Sequence, residues 1–185
     1  MSQEDQKRWN KKYQNSPIPN TPIKLVTSFA SQATKGYALD VACGMGRHSR
    51  YLASLGFEVD ALDISSVAIA SLQNIPHVHP IEVDFDSYRL TKNYYDLIIS
   101  TFFLNRELFP QMIEALKIDG ILIYETFVYH PDNDTAPSNR SFLLEEGELM
   151  EAFDGLCEIV YYEEYWTKDM KGNKSMKASM VARKR

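Results

Sequence analysis

The sequence predicts an α/β protein with a doubly wound parallel sheet and an antiparallel strand pair at one edge. From Tyr37 onward, short apolar stretches alternate with segments of helical periodicity. Tyr95–Thr101 is a continuous apolar run, which is typical of a strand buried on both faces of a parallel sheet. The last two apolar stretches are joined around Gly172-Asn173, a turn signal that indicates a hairpin. Strands separated by helices favour the doubly wound arrangement.

The first 35 residues are expected to form a helical cap on a core of residues 36–185, within a single domain. Residues 4–15 are polar, but Trp9 and Tyr13 are four apart, so both rings share one face of a helix. Pro17, Pro19 and Pro22 predict an extended break before a second helix near 22–33.

The next three strands are predicted at 37–43, 57–64 and 78–85. A glycine-containing turn follows the first of them and leads into a helix that is expected to stop at Gly56. Ser65 is the expected N-cap of a helix that continues to about Ile75.

After a turn at 86–93 and the fourth strand, a helix is predicted that tolerates Pro110 in its first turn. Asp119-Gly120 is expected to turn the chain into a strand at 121–127. Residues 130–141 form a loop by composition, and a short helix is predicted at 145–154. The final strands are predicted at 156–166 and 176–182.

Charge is unevenly distributed along the 185 residues, whose net charge is −5. Residues 168–185 hold seven basic residues and one acidic residue, a net charge of +6; residues 1–167 hold thirteen basic and twenty-four acidic residues, a net charge of −11. An acidic body disfavours binding to a phosphate backbone. The basic end is expected to be a solvated hairpin, and a nucleic-acid-binding arm is the alternative.

Neither a membrane span nor a secretory signal is predicted. The longest apolar runs are interrupted by polar residues and are shorter than the ~18–20 residues that span a bilayer. A cytoplasmic protein is therefore expected, with Cys43 and Cys157 as free thiols. His77 and His79 have no third ligand at metal spacing nearby, so no metal site is predicted.

The turn after the first strand predicts a ligand site, because small residues let a ligand approach the backbone. It reads Asp40-Val-Ala42-Cys43-Gly44-Met-Gly46-Arg. A dinucleotide and S-adenosylmethionine (AdoMet) are the two candidate ligands. Ser49 stands where the dinucleotide fingerprint has its third glycine, and Asp40 would repel a pyrophosphate. The same carboxylate suits a ligand that carries an ammonium and a sulfonium, so the turn favours AdoMet.

This turn resembles motif I of class I AdoMet-dependent methyltransferases, with Ala42 in place of the commoner first glycine. Residues 61–65, the segment 84–86 and the stretches 95–100 and 116–122 are similar to the later segments of that family, in the same order. Residues 102–106, 124–127 and 142–149, with the Trp9–Tyr13 helix, resemble the small tellurite-resistance and thiopurine-type branch. The resemblance implies a Rossmann-like seven-stranded sheet of order 3-2-1-4-5-7-6 with the last strand antiparallel.

The resemblance also implies residue roles in binding AdoMet. Asp40 is expected at the methionine end, Asp63 and its neighbour Ile64 at the ribose hydroxyls, and Asp84 with Phe85 at the adenine. Ala42, Cys43, Gly44 and Gly46 are expected to form the backbone cradle, Ser100 and Thr101 to face the cofactor, and Trp9 and Tyr13 to form an aromatic wall beside the sulfonium. Arg47 and His48 are interpreted as exposed residues of a first helical turn, and a role in guiding an anionic substrate or the AdoMet carboxylate is the alternative.

Arg106, Glu125 and His130 are the candidates for the acceptor side, although no catalytic residue is assigned. An Arg106–Glu125 pair that ties helix to sheet is the structural alternative. The predicted function is methyl transfer to a small nucleophile such as a thiol or chalcogen oxyanion, by a monomer or homodimer with no nucleic-acid or membrane partner. A non-catalytic AdoMet-binding or partner protein is the alternative.

Overall fold

The structure is a computed structural model that describes residues 3–15 and 19–185. The predicted break at Pro17 lies outside the described residues, whereas the helices on either side of it are present. The helices are α1 (Gln3–Asn15), α2 (Lys24–Phe29), α3 (Arg47–Ser54), α4 (Ser66–Ala70), α5 (Leu108–Ala115) and α6 (Glu148–Phe153). The strands are β1 (Tyr37–Val41), β2 (Glu58–Asp63), β3 (Val78–Glu82), β4 (Tyr95–Thr101), β5 (Leu116–Phe127), β6 (Cys157–Lys168) and β7 (Lys174–Lys184).

The seven strands form one sheet of order β3-β2-β1-β4-β5-β7-β6, which confirms the predicted order. The first five strands in chain order pair in parallel, and β7 runs antiparallel to both β5 and β6. Parallel strands end at the same edge, so the carboxyl ends of β1, β2 and β4 lie side by side. This edge is where open α/β sheets bind ligands.

The core occupies both faces of the sheet, because side chains of a strand alternate between faces. In β4, Ile98 packs on the face that α5 and α6 cover, whereas Leu97 and Ile99 pack on the face that α2 and α3 cover. All three side chains are fully buried. A strand that is buried on both faces must be apolar throughout, which explains why β4 matches its predicted limits at both ends.

Several predicted elements have different limits in the structure, and the differences are largest in α4 and β5. Ser65 caps α4 as expected, since its hydroxyl accepts a hydrogen bond from the Ala68 amide at 3.2 Å, but the helix ends at Ala70 rather than Ile75. The strand that was expected to start at Ile121 already starts at Leu116. Leu116 pairs with β4, the pairing is interrupted where Asp119 adopts a φ of +63°, and it resumes at Ile121. Such a bulge lets one strand contain extra residues without ending the ladder.

Among the helices in residues 3–15 and 19–185, none is long and apolar enough to cross a bilayer. Within the same residues, no group of three or more His, Cys, Asp or Glu side chains is arranged to hold a metal ion.

Candidate functional site

A cavity of about 490 Å³ lies at the carboxyl ends of β1, β2 and β4. Its walls come from the turn after β1, the end of β2, the segment after β4, the end of β5, and α1. The residues that line it are Trp9, Lys12, Tyr13, Pro19, Ala42, Cys43, Gly44, Met45, Gly46, Arg47, His48, Asp63, Ile64, Thr101, Phe102, Phe103 and Phe127. The cavity falls within the roughly 300–1,000 Å³ that small-ligand pockets occupy.

The turn after β1 contains three residues with positive φ: Ala42 at +55°, Gly44 at +54° and Gly46 at +74°. Glycine adopts this conformation without strain, whereas a residue with a Cβ pays roughly 1–2 kcal/mol. The backbone of Ala42 is therefore strained at the position where the related motif has glycine. A Cβ on Gly44 would lie 2.8 Å from the Tyr13 hydroxyl, so this glycine is needed for the close approach of α1.

Asp63 ends β2 inside the cavity and is 5% exposed. Its Oδ2 accepts a hydrogen bond from the Gly44 amide at 2.8 Å, and its Oδ1 accepts one from the Ser65 amide at 2.8 Å. Burial raises the pKa of this carboxyl, while the two amides oppose that shift. A carboxylate offers about four lone-pair directions, so both oxygens keep capacity for hydroxyl donors.

Asp40 lies behind the turn and does not line the cavity. It is 1% exposed, and its Oδ2 accepts a 2.6 Å hydrogen bond from the Ser49 hydroxyl. Burial raises the pKa of Asp40 to about 7, although the Ser49 hydrogen bond acts in the opposite direction. The carboxyl is thus poised to change charge near neutral pH, one residue layer below the cavity wall.

Helix α1 covers the cavity with the two aromatic rings that the sequence places on one face. Trp9 and Tyr13 stack with a centroid distance of 5.5 Å, and both line the cavity. Burial raises the pKa of the Tyr13 phenol, and the Asp63 charge adds to this effect. The phenol is therefore neutral near neutral pH.

Polar side chains attach α1 to the core. The Asn10 Oδ1 accepts hydrogen bonds from the Ser65 hydroxyl at 2.6 Å and from the Val67 amide at 3.4 Å. The Gln6 Nε2 donates to the Ile64 carbonyl at 3.1 Å and to the Glu82 carboxylate at 2.7 Å. These bonds place the helix beside the loop that carries Asp63 and Ile64.

Arg47 and His48 are not exposed, so that prediction is wrong. His48 is 2% exposed, and its Nε2 accepts a hydrogen bond from the Ile23 amide at 3.3 Å. The proton therefore sits on Nδ1, which faces the Thr101 hydroxyl at 3.4 Å. Burial, aided by the Arg47 charge, lowers the pKa of His48 to about 3, so the ring is neutral. Segments distant in sequence cover this turn of helix.

Of the other predicted cofactor residues, Thr101 lines the cavity and three do not. Ser100 is fully buried within β4, and Phe85 is 1% exposed and packs on Phe103 with a centroid distance of 5.3 Å. Asp84 is half-buried after β3, where it accepts a hydrogen bond from the Asp86 amide at 3.0 Å. Phe103 lines the cavity, so Phe85 lies directly behind one of its lining rings.

Arg106 is used within the fold rather than in the cavity. Its Nη2 donates to Glu148 at 2.8 Å and to the Leu143 carbonyl at 2.9 Å, and its Nη1 donates to the Ser141 carbonyl at 3.1 Å. Arg106 therefore forms an ion pair with a structural role, as the alternative prediction expected, but its partner is Glu148 and not Glu125. The guanidinium holds the 141–148 segment against the chain that follows β4.

The two remaining acceptor-side candidates lie in different places. Glu125 is 4% exposed near the end of β5 and accepts hydrogen bonds from Tyr165 and Ser179. His130 lies beyond β5, packs edge-on against Trp166 with a centroid distance of 4.8 Å, and accepts a hydrogen bond at Nδ1 from the Asp132 amide. It lines a separate cavity of about 210 Å³, away from the turn after β1.

Sequence reasoning missed several residues that form the cavity. Phe102, Phe103 and Phe127 supply much of its apolar wall. Phe102 also has a φ of +58°, which is rare for a bulky residue and often marks functional positions. Aromatic residues at the ends of two buried strands were the available signal, because strand ends at this edge face the ligand site. Phe102 and Phe103 directly follow β4, and Phe127 is the last residue of β5.

The fold and the position of the cavity define the class: this is a Rossmann-like class I AdoMet-dependent methyltransferase fold. A methyltransferase of known structure from Methanosarcina mazei, described as SAM-dependent, matches 89% of this chain and 98% of its own with a TM-score of 0.65 and 18% identity. The chain belongs to the TehB family, since the family described as "Tellurite resistance protein TehB" matches residues 1–181. This confirms the resemblance drawn from the motifs.

One curated relative and one solved structure from Haemophilus influenzae are similar to this chain. A protein of Haemophilus influenzae named "Probable S-adenosyl-L-methionine-dependent methyltransferase TehB" is 33% identical over 166 residues, which cover 80% of this chain and 57% of that protein. The crystal structure of TehB from Haemophilus influenzae matches with a TM-score of 0.74 and 29% identity, covering 97% of this chain and 67% of that one. The chain thus spans a little over half the length of the curated relative.

Proposed function

We propose that this protein is an AdoMet-dependent methyltransferase that acts on a small-molecule nucleophile. The observation that carries the proposal is the 490 Å³ cavity beside the turn after β1, with Asp63 in one wall and the Trp9–Tyr13 pair in another. The family and the fold agree with this function.

The residues present fit AdoMet. The backbone of Ala42, Cys43, Gly44 and Gly46 forms a shallow cradle in which a side chain on Gly44 would already meet Tyr13. We assign the ribose hydroxyls to Asp63, whose oxygens keep free lone pairs, and the contact beside them to Ile64. The aromatic faces of Trp9 and Tyr13 suit a sulfonium, because ring quadrupoles attract cations.

The two ends of the cofactor are assigned to residues at the margins of the cavity. We place the adenine toward Asp84 and Phe85, after β3, and the methionine end toward Asp40, which acts from behind the turn. We place Thr101 at the border of the reacting region, where its hydroxyl lies 3.4 Å from the His48 Nδ1, and Ser100 behind it within β4.

When bound, AdoMet supplies a methyl carbon whose bond to the charged sulfur breaks as the acceptor's lone pair attacks. The protein's own part is to hold the acceptor in line and exclude water, an effect worth ~7–11 kcal/mol in well-oriented reactions. Neutral His48 and the neutral phenol of Tyr13 leave the turn side of the cavity without a strong base. An acceptor that is already nucleophilic, such as a thiolate or a chalcogen oxyanion, suits this arrangement.

Arg47 supports an acceptor with negative charge. It lines the cavity, and within the described part of the chain its guanidinium makes no hydrogen bond or ion pair with another side chain or backbone group. Its pKa is lowered by burial, although nearby Asp40 and Glu125 oppose this shift. A partly buried cation without a partner is costly, so an anion in the cavity would stabilise it.

Titration calorimetry with AdoMet and S-adenosylhomocysteine tests the function. We expect binding by the wild type and a loss of at least about tenfold in affinity for Asp63→Ala, because charge-assisted hydrogen bonds contribute roughly 1.5–3 kcal/mol each. Asp154→Ala, an exposed residue after α6, is the matched control and should bind normally.

No binding at about 1 mM ligand would contradict the proposal. Methyl transfer to thiols, selenite and tellurite under single-turnover conditions is the second measurement. AdoMet binding with no transfer to any of these acceptors would instead support the non-catalytic alternative.

A further inference from the structure

The acceptor side of the cavity is bordered by three strands that bring distant residues to one face of the sheet. Phe127 of β5 pairs with Lys177 of β7, which in turn pairs with Tyr165 of β6. Glu125, which lies two residues before Phe127 in β5, pairs with Ser179 of β7. Because strand side chains alternate with a period of two, these five residues share one face.

Glu125 is the buried charge of this group. Its Oε2 accepts hydrogen bonds from the Ser179 hydroxyl at 2.9 Å and the Tyr165 hydroxyl at 3.0 Å. Its Oε1 lies 3.9 Å from the Lys177 Nζ. Two hydroxyls therefore fix one carboxylate oxygen, and the other oxygen faces the ammonium group.

Lys177 lies against the aromatic wall of the cavity with its side chain 16% exposed. Its Nζ is 4.7 Å from the centroid of Phe102 and 5.7 Å from that of Phe127, two rings that line the cavity. Arg47 lies 5.3 Å from the Phe102 centroid as well. Two cations thus share one ring at the border of the cavity.

The N–H donors of the Lys177 ammonium are not used in hydrogen bonds within the described residues. At 3.9 Å, Glu125 attracts it without forming a hydrogen bond, and within residues 3–15 and 19–185 the ammonium makes no hydrogen bond. The groups that face it are Glu125 from β5, Tyr165 from β6 and Arg47 from α3. Burial lowers the pKa of Lys177, Glu125 raises it and Arg47 lowers it further. Glu125 therefore acts on both cations, and Asp40, whose pKa is about 7, also acts on Arg47.

We propose that Glu125 is a positioning residue, anchored by Tyr165 and Ser179, which holds the Lys177 ammonium beside Phe102 and Phe127 so that Lys177 selects acceptors by their negative charge. This inference rests on the proposed function for the identity of the reaction, but the Glu125–Lys177 coupling exists independently of turnover. It also gives Glu125 a role other than that of a general base, because both of its oxygens are engaged.

The coupling is tested by NMR titration of protein with isotope-labelled lysine, comparing wild type with Glu125→Gln. The glutamine keeps an oxygen for the two hydroxyls but removes the charge. We expect the pKa of Lys177 to fall by about 1–3 units in the variant, the usual effect of losing an opposite charge at this distance. An unchanged Lys177 pKa would overturn the positioning role.

Selectivity is tested with sodium selenite as the anionic probe. Adding selenite should shift the Lys177 resonance in the wild type and leave Lys171, in the exposed β6–β7 turn, unaffected. For turnover, Lys177→Met should raise the KM for selenite by about tenfold, the effect of losing one charge-assisted interaction, with little change in AdoMet affinity. Lys171→Met, with the same charge change, is the control.

The pH dependence distinguishes positioning from a packing defect. In Glu125→Gln, the alkaline limb of kcat/KM should move to lower pH, because Lys177 loses its proton earlier. If Glu125→Gln does not fold, Tyr165→Phe retains the carboxylate and should give a smaller shift in the same direction. A normal selenite KM in Lys177→Met, or no selenite-induced shift of the Lys177 resonance, would refute the selectivity role. A failure to bind AdoMet would count against the proposed function alone.

Discussion

Two walls of the same cavity are built in opposite ways. The turn after β1 rests on the core: Val41 is fully buried and Asp40 is 1% exposed. Helix α1, on the other side, has no buried residue and is attached through Asn10, Gln6 and its two aromatic rings. One wall is part of the folded sheet, whereas the other lies on its surface.

This difference separates stability from binding. Changes in the turn wall should alter the free energy of unfolding, because they act within the packed core. Changes in the α1 wall should leave the fold intact and weaken ligand binding. Three substitutions test this separation.

The largest expected effect is the pH dependence of Asp40→Asn. The folded-state pKa of Asp40 is about 7, above its unfolded value of 3.8. Between pH 3.8 and about 7, the folded wild type therefore keeps a proton on Asp40 that the unfolded chain has lost. This contribution lowers stability as pH rises from about 4 to about 7. The variant should therefore gain about 2–4 kcal/mol over wild type across this range.

Urea unfolding at a series of pH values measures the difference. Asp154→Asn, an exposed change of the same kind, is the control. A difference between Asp40→Asn and wild type that does not vary with pH would show that the Asp40 carboxyl is not sealed behind the turn.

Gly46→Ala is expected to have the next largest effect. A Cβ at Gly46 would lie 2.3 Å from the Leu72 Cδ2, and φ is +74°. Overpacking and left-handed strain together should lower the free energy of unfolding by about 2–4 kcal/mol. Gly155 has the same φ of +74° and nothing within 4 Å of its added Cβ, so Gly155→Ala reports the strain alone. Equal losses for both variants in urea unfolding would exclude a packing role for Gly46.

Asn10→Ala has the smallest expected effect and acts on the other wall. It removes the hydrogen bonds that join α1 to the start of α4, which contribute about 0.5–1.5 kcal/mol. We expect AdoMet affinity by calorimetry to fall about three- to tenfold, with little change in urea unfolding. Asn15→Ala is the matched control, because the Asn15 amide donates to the Lys11 carbonyl of the same helix. A large loss of stability in Asn10→Ala would mean that α1 belongs to the core.

The sequence predicts the parts of this molecule that depend on local pattern. The limits of β4 follow from its unbroken apolar run, and the cap of α4 follows from Ser65. The ordered motif segments also identified the family and the strand order. The limits of β4 and the cap of α4 depend on residues close in the chain, where periodicity and turn chemistry are informative, whereas the strand order came from the resemblance.

What the sequence could not show depends on contacts between distant segments. The burial of His48 requires Ile23 and Thr101 to lie against it, and the partner of Arg106 is 42 residues away. In the sequence, Lys177 is one of many basic residues near the end of the chain. Its place beside Glu125 depends on the register of β7 against β5, which the sequence does not show. Register between antiparallel strands is not encoded in any one of them.

That register has a consequence for how such a protein can change over evolution. Residues that face the proposed acceptor side come from the β6–β7 hairpin and the end of β5, whereas the turn after β1 and Asp63 come from the opposite half of the sheet. A substitution at Lys177 alters no hydrogen bond of the turn. We therefore expect the choice of acceptor to diverge rapidly among relatives of this chain, through single changes at a few hairpin positions, while the cofactor half stays constant.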